Sequence, residues 1–201
     1  MIAIIDYDAG NLKSVEKALL HLGEEVEITR DKESLLRADK VILPGVGHFG
    51  DAMTKLHHYQ LIEVIKEIVS RKTPFLGICL GMQLLFESSE ECKGVEGLSL
   101  LKGDILRIPG GEAVKIPHMG WNSLAIRENA KLYQGIEQQA YVYFVHSFYL
   151  KAADPLDVAA TTHYSTLIDA SVEHDNVFGC QFHPEKSGEI GLRILKNFAC
   201  L

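Results

Sequence analysis

No apolar run in the sequence approaches the roughly 18 residues that a membrane-spanning helix needs. The N-terminal Met1-Ile2-Ala3-Ile4-Ile5-Asp6 carries no basic segment and no cleavage site, so it reads as a buried first strand and not as a signal peptide. Cysteine is scarce. Cys79, Cys92, Cys180 and Cys200 stand apart without CxxC spacing, which argues against a zinc site and against a disulfide framework. A reducing, cytoplasmic setting is the expectation. Positive charge is also in deficit, with 20 Lys and Arg against 27 Asp and Glu and a net charge of −7. That balance argues against nucleic acid or an anionic membrane surface as the main partner. The nine histidines are dispersed and none has metal-ligand spacing, so neither a metal nor a cofactor is expected. There is no internal repeat, no low-complexity tract and no linker rich in proline, glycine or serine.

What the sequence does have is a regular alternation of short apolar runs with helical patterns. Its 201 residues suffice to bury roughly 70% of the unfolded surface around one core, and a single domain over residues 1–201 is expected. Ile2–Ile5, Val26–Thr29, Lys40–Leu43 and Pro74–Ile78 read as strands. Asn11–Leu22 places Leu12, Val15, Ala18, Leu19 and Leu22 at helical spacing before Gly23, and Gln60–Arg71 repeats the pattern. Fully apolar strands alternating with helices predict parallel strands covered on both faces. The second half is richer in strand-like runs, at 105–108, 123–126, 141–146, 158–162, 167–172 and 177–182, before a closing helix at 188–200. The fold class is therefore α/β, a flavodoxin-like, mostly parallel central sheet flanked by helices with extra antiparallel strands.

In open sheets of this kind, sites form beyond the carboxyl ends of the strands. After the fourth strand comes Gly77-Ile78-Cys79-Leu80-Gly81-Met82-Gln83. A glycine two residues on either side of Cys79 gives the shape of a nucleophile elbow, a sharp strand-to-helix turn that exposes the reactive side chain. A following helix through Leu84-Leu85-Phe86 would set its positive end against the thiol. The alternative is a buried, inert thiol, the commoner fate of free cysteine. After the last strand comes His183-Pro184-Glu185. Extended backbone would place His183 and Glu185 on one side, and Pro184 biases His183 toward that geometry. Alone, such a histidine is an ordinary hydrogen-bonded residue; beside a cysteine elbow it completes a set of nucleophile, base and orienting acid. Pro44-Gly45-Val46-Gly47 after the third strand reads either as a plain turn or as a loop of N–H donors for an oxyanion. The amide of Leu80 would then be the second donor.

G-x-C-x-G-x-Q followed about a hundred residues later by H-P-E resembles the class I (triad) glutamine amidotransferases. That resemblance implies hydrolysis of L-glutamine through a glutamyl thioester on Cys79, with His183 and Glu185 completing the triad. By the same match, Gln83, Glu91 and the backbone around Val46, Gly47, Leu80 and Ser147 hold the substrate or its oxyanion. Glu91 otherwise reads as one member of the acidic stretch 87–91 on a solvated helix end. The triad does not distinguish glutaminases that serve different synthases, such as those for anthranilate or pyridoxal phosphate. Asp6–Asn11, Leu43–Gly50, Ile116–Asn122, Tyr143–Ser147 and His183–Ser187 resemble the branch that works beside a separate (β/α)8-barrel cyclase subunit in histidine biosynthesis. They imply a heterodimer, an ammonia channel and allosteric control of the Val46 peptide by the partner. Pro117, Met119, Trp121, Tyr143 and Lys186 resemble the partner-facing surface, although a lone tryptophan is as readily a core residue. One departure is Asp8, where that branch usually has glycine. Two rival readings remain: a cysteine hydrolase acting on peptides or γ-glutamyl conjugates, and a flavodoxin-like binding module with a structural Cys79.

Overall fold

A computed structural model of the protein describes residues 1–111 and 114–201. Strand β1 (Ile2–Ile5) shows how the layers arise. All four residues are buried, and because side chains alternate across a strand they serve two cores. Ile2 and Ile4 face a cluster with Val15, Leu19, Ile194 and Phe198, while Ala3 and Ile5 face one with Leu35, Val64, Ile65 and Ile68. The first cluster is covered by α1 (Leu12–His21), the second by α2 (Lys32–Arg37), α3 (Phe49–His58) and α4 (Leu61–Ser70). In α4 the buried residues are Leu61, Val64, Ile65 and Ile68, each contributing roughly 1.5–3 kcal/mol by leaving water.

Parallel to β1 run β2 (Val26–Thr29), β3 (Lys40–Gly45) and β4 (Phe75–Cys79), in the order β2-β1-β3-β4. The remaining strands are β5 (Ser88–Ser89), β6 (Gly103–Arg107), β7 (His118–Ser123), β8 (Ala125–Ile126), β9 (Tyr141–His146), β10 (Phe148–Ala152), β11 (Val158–Tyr164), β12 (Thr166–His174) and β13 (Val177–Cys180). β13 lies beside β4 and parallel to it, with Cys180 opposite Ile78. From β13 the sheet continues antiparallel through β12, β10 and β6, while β11 pairs with β12 and β8. β7 and β9 form a separate antiparallel ribbon. α6 (Gly188–Ala199) closes the chain.

Three expectations need correction. The helix after Cys79, α5, spans only Leu80–Gln83. Leu84, Leu85 and Phe86 are all fully buried, which one helical face cannot achieve, and their carbonyls accept from the amides of Leu98 to Leu101 instead of continuing a helix. The acidic stretch 87–91 contains β5 and is not a helix end. The strand-like run at 123–126 is two pieces, the end of β7 and the short β8.

Candidate active site

The elbow at Cys79 has the geometry its glycines allow. Cys79 sits at φ +55°, ψ −112°, a sparsely populated backbone conformation that a fixed surrounding must hold. A Cβ on Gly81 would lie 1.8 Å from the Leu43 carbonyl oxygen, and one on Gly77 would lie 2.7 Å from the backbone of Gly81 and Met82. Only glycine lets α5 press this closely against β3. With four residues, α5 contributes little macrodipole, so the groups that can act on the thiol are its side-chain neighbours.

His183 is the main one. It is buried, at φ −101°, ψ 96°, and its backbone amide donates to the Tyr143 carbonyl at 2.9 Å. Pro184–Lys186 then forms a 3₁₀ turn, so the chain is not extended through Glu185 as expected. The turn still brings Glu185 Oε1 to 2.8 Å from His183 Nδ1, with side-chain exposures of 1% and 4%. Burial alone would depress the imidazole, but hydrogen bonds with Cys79 and with Glu185 outweigh it and raise the pKa to about 9. The ring is therefore an imidazolium at neutral pH. Ser187 Oγ locks this turn to the ribbon, donating to the His183 carbonyl at 2.6 Å and accepting from the Tyr143 amide at 3.0 Å.

Cys79 and His183 open into a pocket of about 320 Å³. Val46, Gly47, Leu80, Gln83, Glu91 and Ser147 line it too, so the residues expected around the substrate surround one space. Gly47 has φ +101°. Tyr7 anchors the strand just before it, donating its hydroxyl to the Pro44 carbonyl at 2.9 Å. Glu91 holds the adjoining helix by accepting the Phe49 amide on Oε2 at 2.8 Å. Glu185 stands behind His183 and does not line the pocket.

Pro117 and Lys186 sit at the rim of the same pocket. Beside it, the β7–β9 ribbon pairs Trp121 with Tyr143, their rings edge to face at 6.0 Å. Trp121 is 55% exposed and Met119 62%, so the lone tryptophan is on the surface and not in the core. Asp8 takes φ +59°, the left-handed conformation for which glycine is suited. Its carboxylate accepts from Arg30 at 2.6 Å and from the Tyr59 hydroxyl, and its carbonyl accepts from Lys55 at 2.7 Å. These tethers offset the backbone cost and hold the loop in the shape a glycine would take.

Sequence reasoning missed Gln181 and the role of two histidines. Gln181 is fully buried and directs Nε2 to Cys79 Sγ at 3.9 Å. A polar side chain in the otherwise apolar run Val177–Phe182 was the available signal. His118 and His146 are buried and bonded to each other at 2.9 Å. Burial lowers them to about 4 and about 3 respectively, so both are neutral. Among the described residues no cluster of His, Cys, Asp or Glu is arranged to hold a metal, and no helix is long and apolar enough to cross a membrane.

The chain matches the family model for class I glutamine amidotransferases over residues 3–200. It is 52% identical over 198 residues to imidazole glycerol phosphate synthase subunit HisH of Bacillus cereus, covering 98% of this chain and 93% of that one. To the HisH subunit of Methanocaldococcus jannaschii it is 50% identical, covering 98% of both. Among solved structures, PurLQS from Thermotoga maritima superposes with a TM-score of 0.77 at 22% identity, over 99% of this chain and 97% of that one. A structure described as a glutamine amidotransferase gives 0.76 at 19%, over 99% and 100%. At those identities the structures speak for the fold alone.

Proposed function

The chain belongs to the class I glutamine amidotransferases, and from that premise we propose that it hydrolyses L-glutamine to glutamate and ammonia as the glutaminase subunit of an imidazole glycerol phosphate synthase. The observation that carries the reading is His183 sharing a pocket with a strained cysteine and bonded from behind by a buried carboxylate. Cys79 Sγ, its proton given to His183, attacks the carboxamide carbon. The oxyanion is met by the Leu80 amide and by the loop at Val46 and Gly47. His183 then protonates the departing nitrogen, ammonia leaves, and a glutamyl thioester remains on Cys79. Water, losing its proton to His183, hydrolyses the thioester and regenerates the thiol. Glu185 keeps the Nδ1 proton in place throughout, so that Nε2 faces the chemistry. Gln83 and Glu91 present oxygens to the substrate's ammonium group, and the backbone near Ser147 bounds its other end.

Ammonia passes through a channel to a separate cyclase subunit, where it enters the formation of imidazole glycerol phosphate and AICAR in histidine biosynthesis. The exposed Trp121 and Met119, with Tyr143, Pro117 and Lys186, form the docking face. Lys186 adjoins Glu185 and lies at the pocket rim, so partner contact there reaches the triad directly. The Val46 peptide turns into the oxyanion position when the cyclase and its ligand bind, and the pair works in the cytoplasm.

The test compares glutaminase activity with and without the cyclase and its nucleotide substrate, for wild type and Cys79→Ala. Activity that depends on the partner and is abolished in Cys79→Ala is expected, while synthesis from supplied ammonia persists. A Cys79→Ala protein that still hydrolyses glutamine would end the proposal.

A further inference from the structure

The carbonyl oxygen of Phe148 can only accept hydrogen bonds, and this fixes the direction of a buried polar chain. Gln83 Nε2 lies 3.0 Å from that oxygen, so the nitrogen end of the Gln83 amide must face it. The second amide hydrogen of Gln83 points to Gln181 Oε1 at 2.9 Å. Gln181 is thereby oriented in turn, with its oxygen toward Gln83 and its nitrogen toward Cys79 Sγ at 3.9 Å. Flipping Gln181 would set one NH2 against another at a site without solvent. His146 Nδ1 also donates to the Phe148 oxygen, at 2.8 Å, so both lone pairs of that carbonyl are engaged. The parallel register supplies the placement: Cys180 lies opposite Ile78, which sets Gln181 beside Cys79, and the Gln181 amide is held by the Ala170 carbonyl at 2.9 Å.

Resting on the glutaminase reading of this pocket, we propose that Gln181 is a positioning residue for Cys79, donating a hydrogen bond that holds and stabilises the sulfur once its proton has gone to His183. As a thiol, Cys79 would donate to the Val145 carbonyl at 3.8 Å. With the proton on the imidazole, that bond is lost and the anion faces a carbonyl oxygen. The Gln181 donor, at 3.9 Å from the sulfur, then favours the thiolate and offsets the unfavourable carbonyl. A neutral amide does this without adding charge that would compete with the pairing of His183 and Glu185. The same orientation commits both hydrogens of Gln83, so Gln83 offers the pocket an acceptor only.

Gln181→Met removes both amide functions at nearly constant length. In the complex with the cyclase, kcat for glutamine hydrolysis is expected to fall about tenfold or more. KM for glutamine stays within about twofold, because Phe148 still holds Gln83. Alkylation of Cys79 by iodoacetamide in the full chain, followed by mass spectrometry of its peptide, slows in parallel. A folded Gln181→Met chain with wild-type kcat and alkylation rate overturns the proposal. So does a lowered melting temperature with both rates unchanged, which would mark Gln181 as structural only. If Gln181→Met does not fold, Gln181→Asn decides by the same criteria, since an amide one methylene shorter cannot reach both Gln83 and the sulfur. A wild-type complex that hydrolyses no glutamine would instead refute the reading of the pocket, and the alkylation rates would still judge Gln181.

Discussion

Replacing Glu185 by glutamine keeps the shape of the side chain behind His183 and removes its charge. The bond it alters is 2.8 Å long and joins side chains that are 1% and 4% exposed, so water screens it little. A hydrogen bond to a charged partner contributes about 1.5–3 kcal/mol, which at ~1.4 kcal/mol per pKa unit is about one to two units. His183, at about 9 in the wild type, is then expected to titrate between roughly 7 and 8 in Glu185→Gln. The sign for stability follows from the raised value. The contribution of His183 is complete below its unfolded pKa near 6.5 and is lost as pH rises through the folded pKa, so in the variant the contribution is smaller and its loss is complete at a lower pH. A second cost arises at Glu185 Oε2, which is buried without a partner; a glutamine NH2 placed there lacks an acceptor, at about 1–3 kcal/mol. Nitrogen-15 NMR of the imidazole across a pH series reads the titration, and thermal melts read the stability. At pH 7 the change in protonation alone accounts for no more than about a twofold loss of kcat. A larger loss measures how far the ring has turned. A His183 midpoint that stays near the wild-type value would refute the reasoning, because the sulfur alone would then be holding the proton.

Two further outcomes test the frame around the site. Gly81→Ala, whose Cβ would meet the Leu43 oxygen at 1.8 Å, should destabilise the fold by more than about 4 kcal/mol in urea denaturation. Gly94→Ala, at φ +83° with open space around it, should cost only about 1–2 kcal/mol; similar values for the two would contradict the close approach of α5 to β3. Because His118 and His146 are held neutral by burial, the unfolded chain binds more protons than the folded one below about pH 6.5, and stability is lost as pH falls from there at ~1.4 kcal/mol per unit for each ring. His118→Phe preserves the stacking with Phe144 and Tyr164 and should flatten that acid limb by one proton. An unchanged slope would mean that the ring is charged in the folded protein.

The parallel half of the fold was legible because its strands are short, largely apolar and separated by helices with clear periodicity. Val26–Thr29 falls where the pattern puts it, and so, in the antiparallel ribbon, does Tyr141–His146. α2 and α3 escaped notice. α3 carries Gly50 and two terminal histidines, which blur its apolar stripe, and α2 has only six residues. β10 was hidden because only Ser147 separates it from β9, too little chain to signal a change of partner. In the site, two motifs pointed to Cys79, His183 and Glu185 because each has a fixed local shape. Gln181 has none. Its meaning depends on strand register and on which way the Phe148 carbonyl faces, and neither is written in a local pattern.

The place of β13 has a consequence for the order in which the protein is made. It lies in the interior of the sheet, between β4 and β12, although Gln181 and Cys79 are 102 residues apart in sequence. A chain synthesised only as far as β4 therefore has neither the imidazole of His183 nor the amide of Gln181 to set beside Cys79. The slot beside Cys79 is filled only by a segment 102 residues further on, and long-range pairing of this kind forms slowly. Until those residues exist, the thiol of Cys79 has neither the imidazole nor the amide donor beside it.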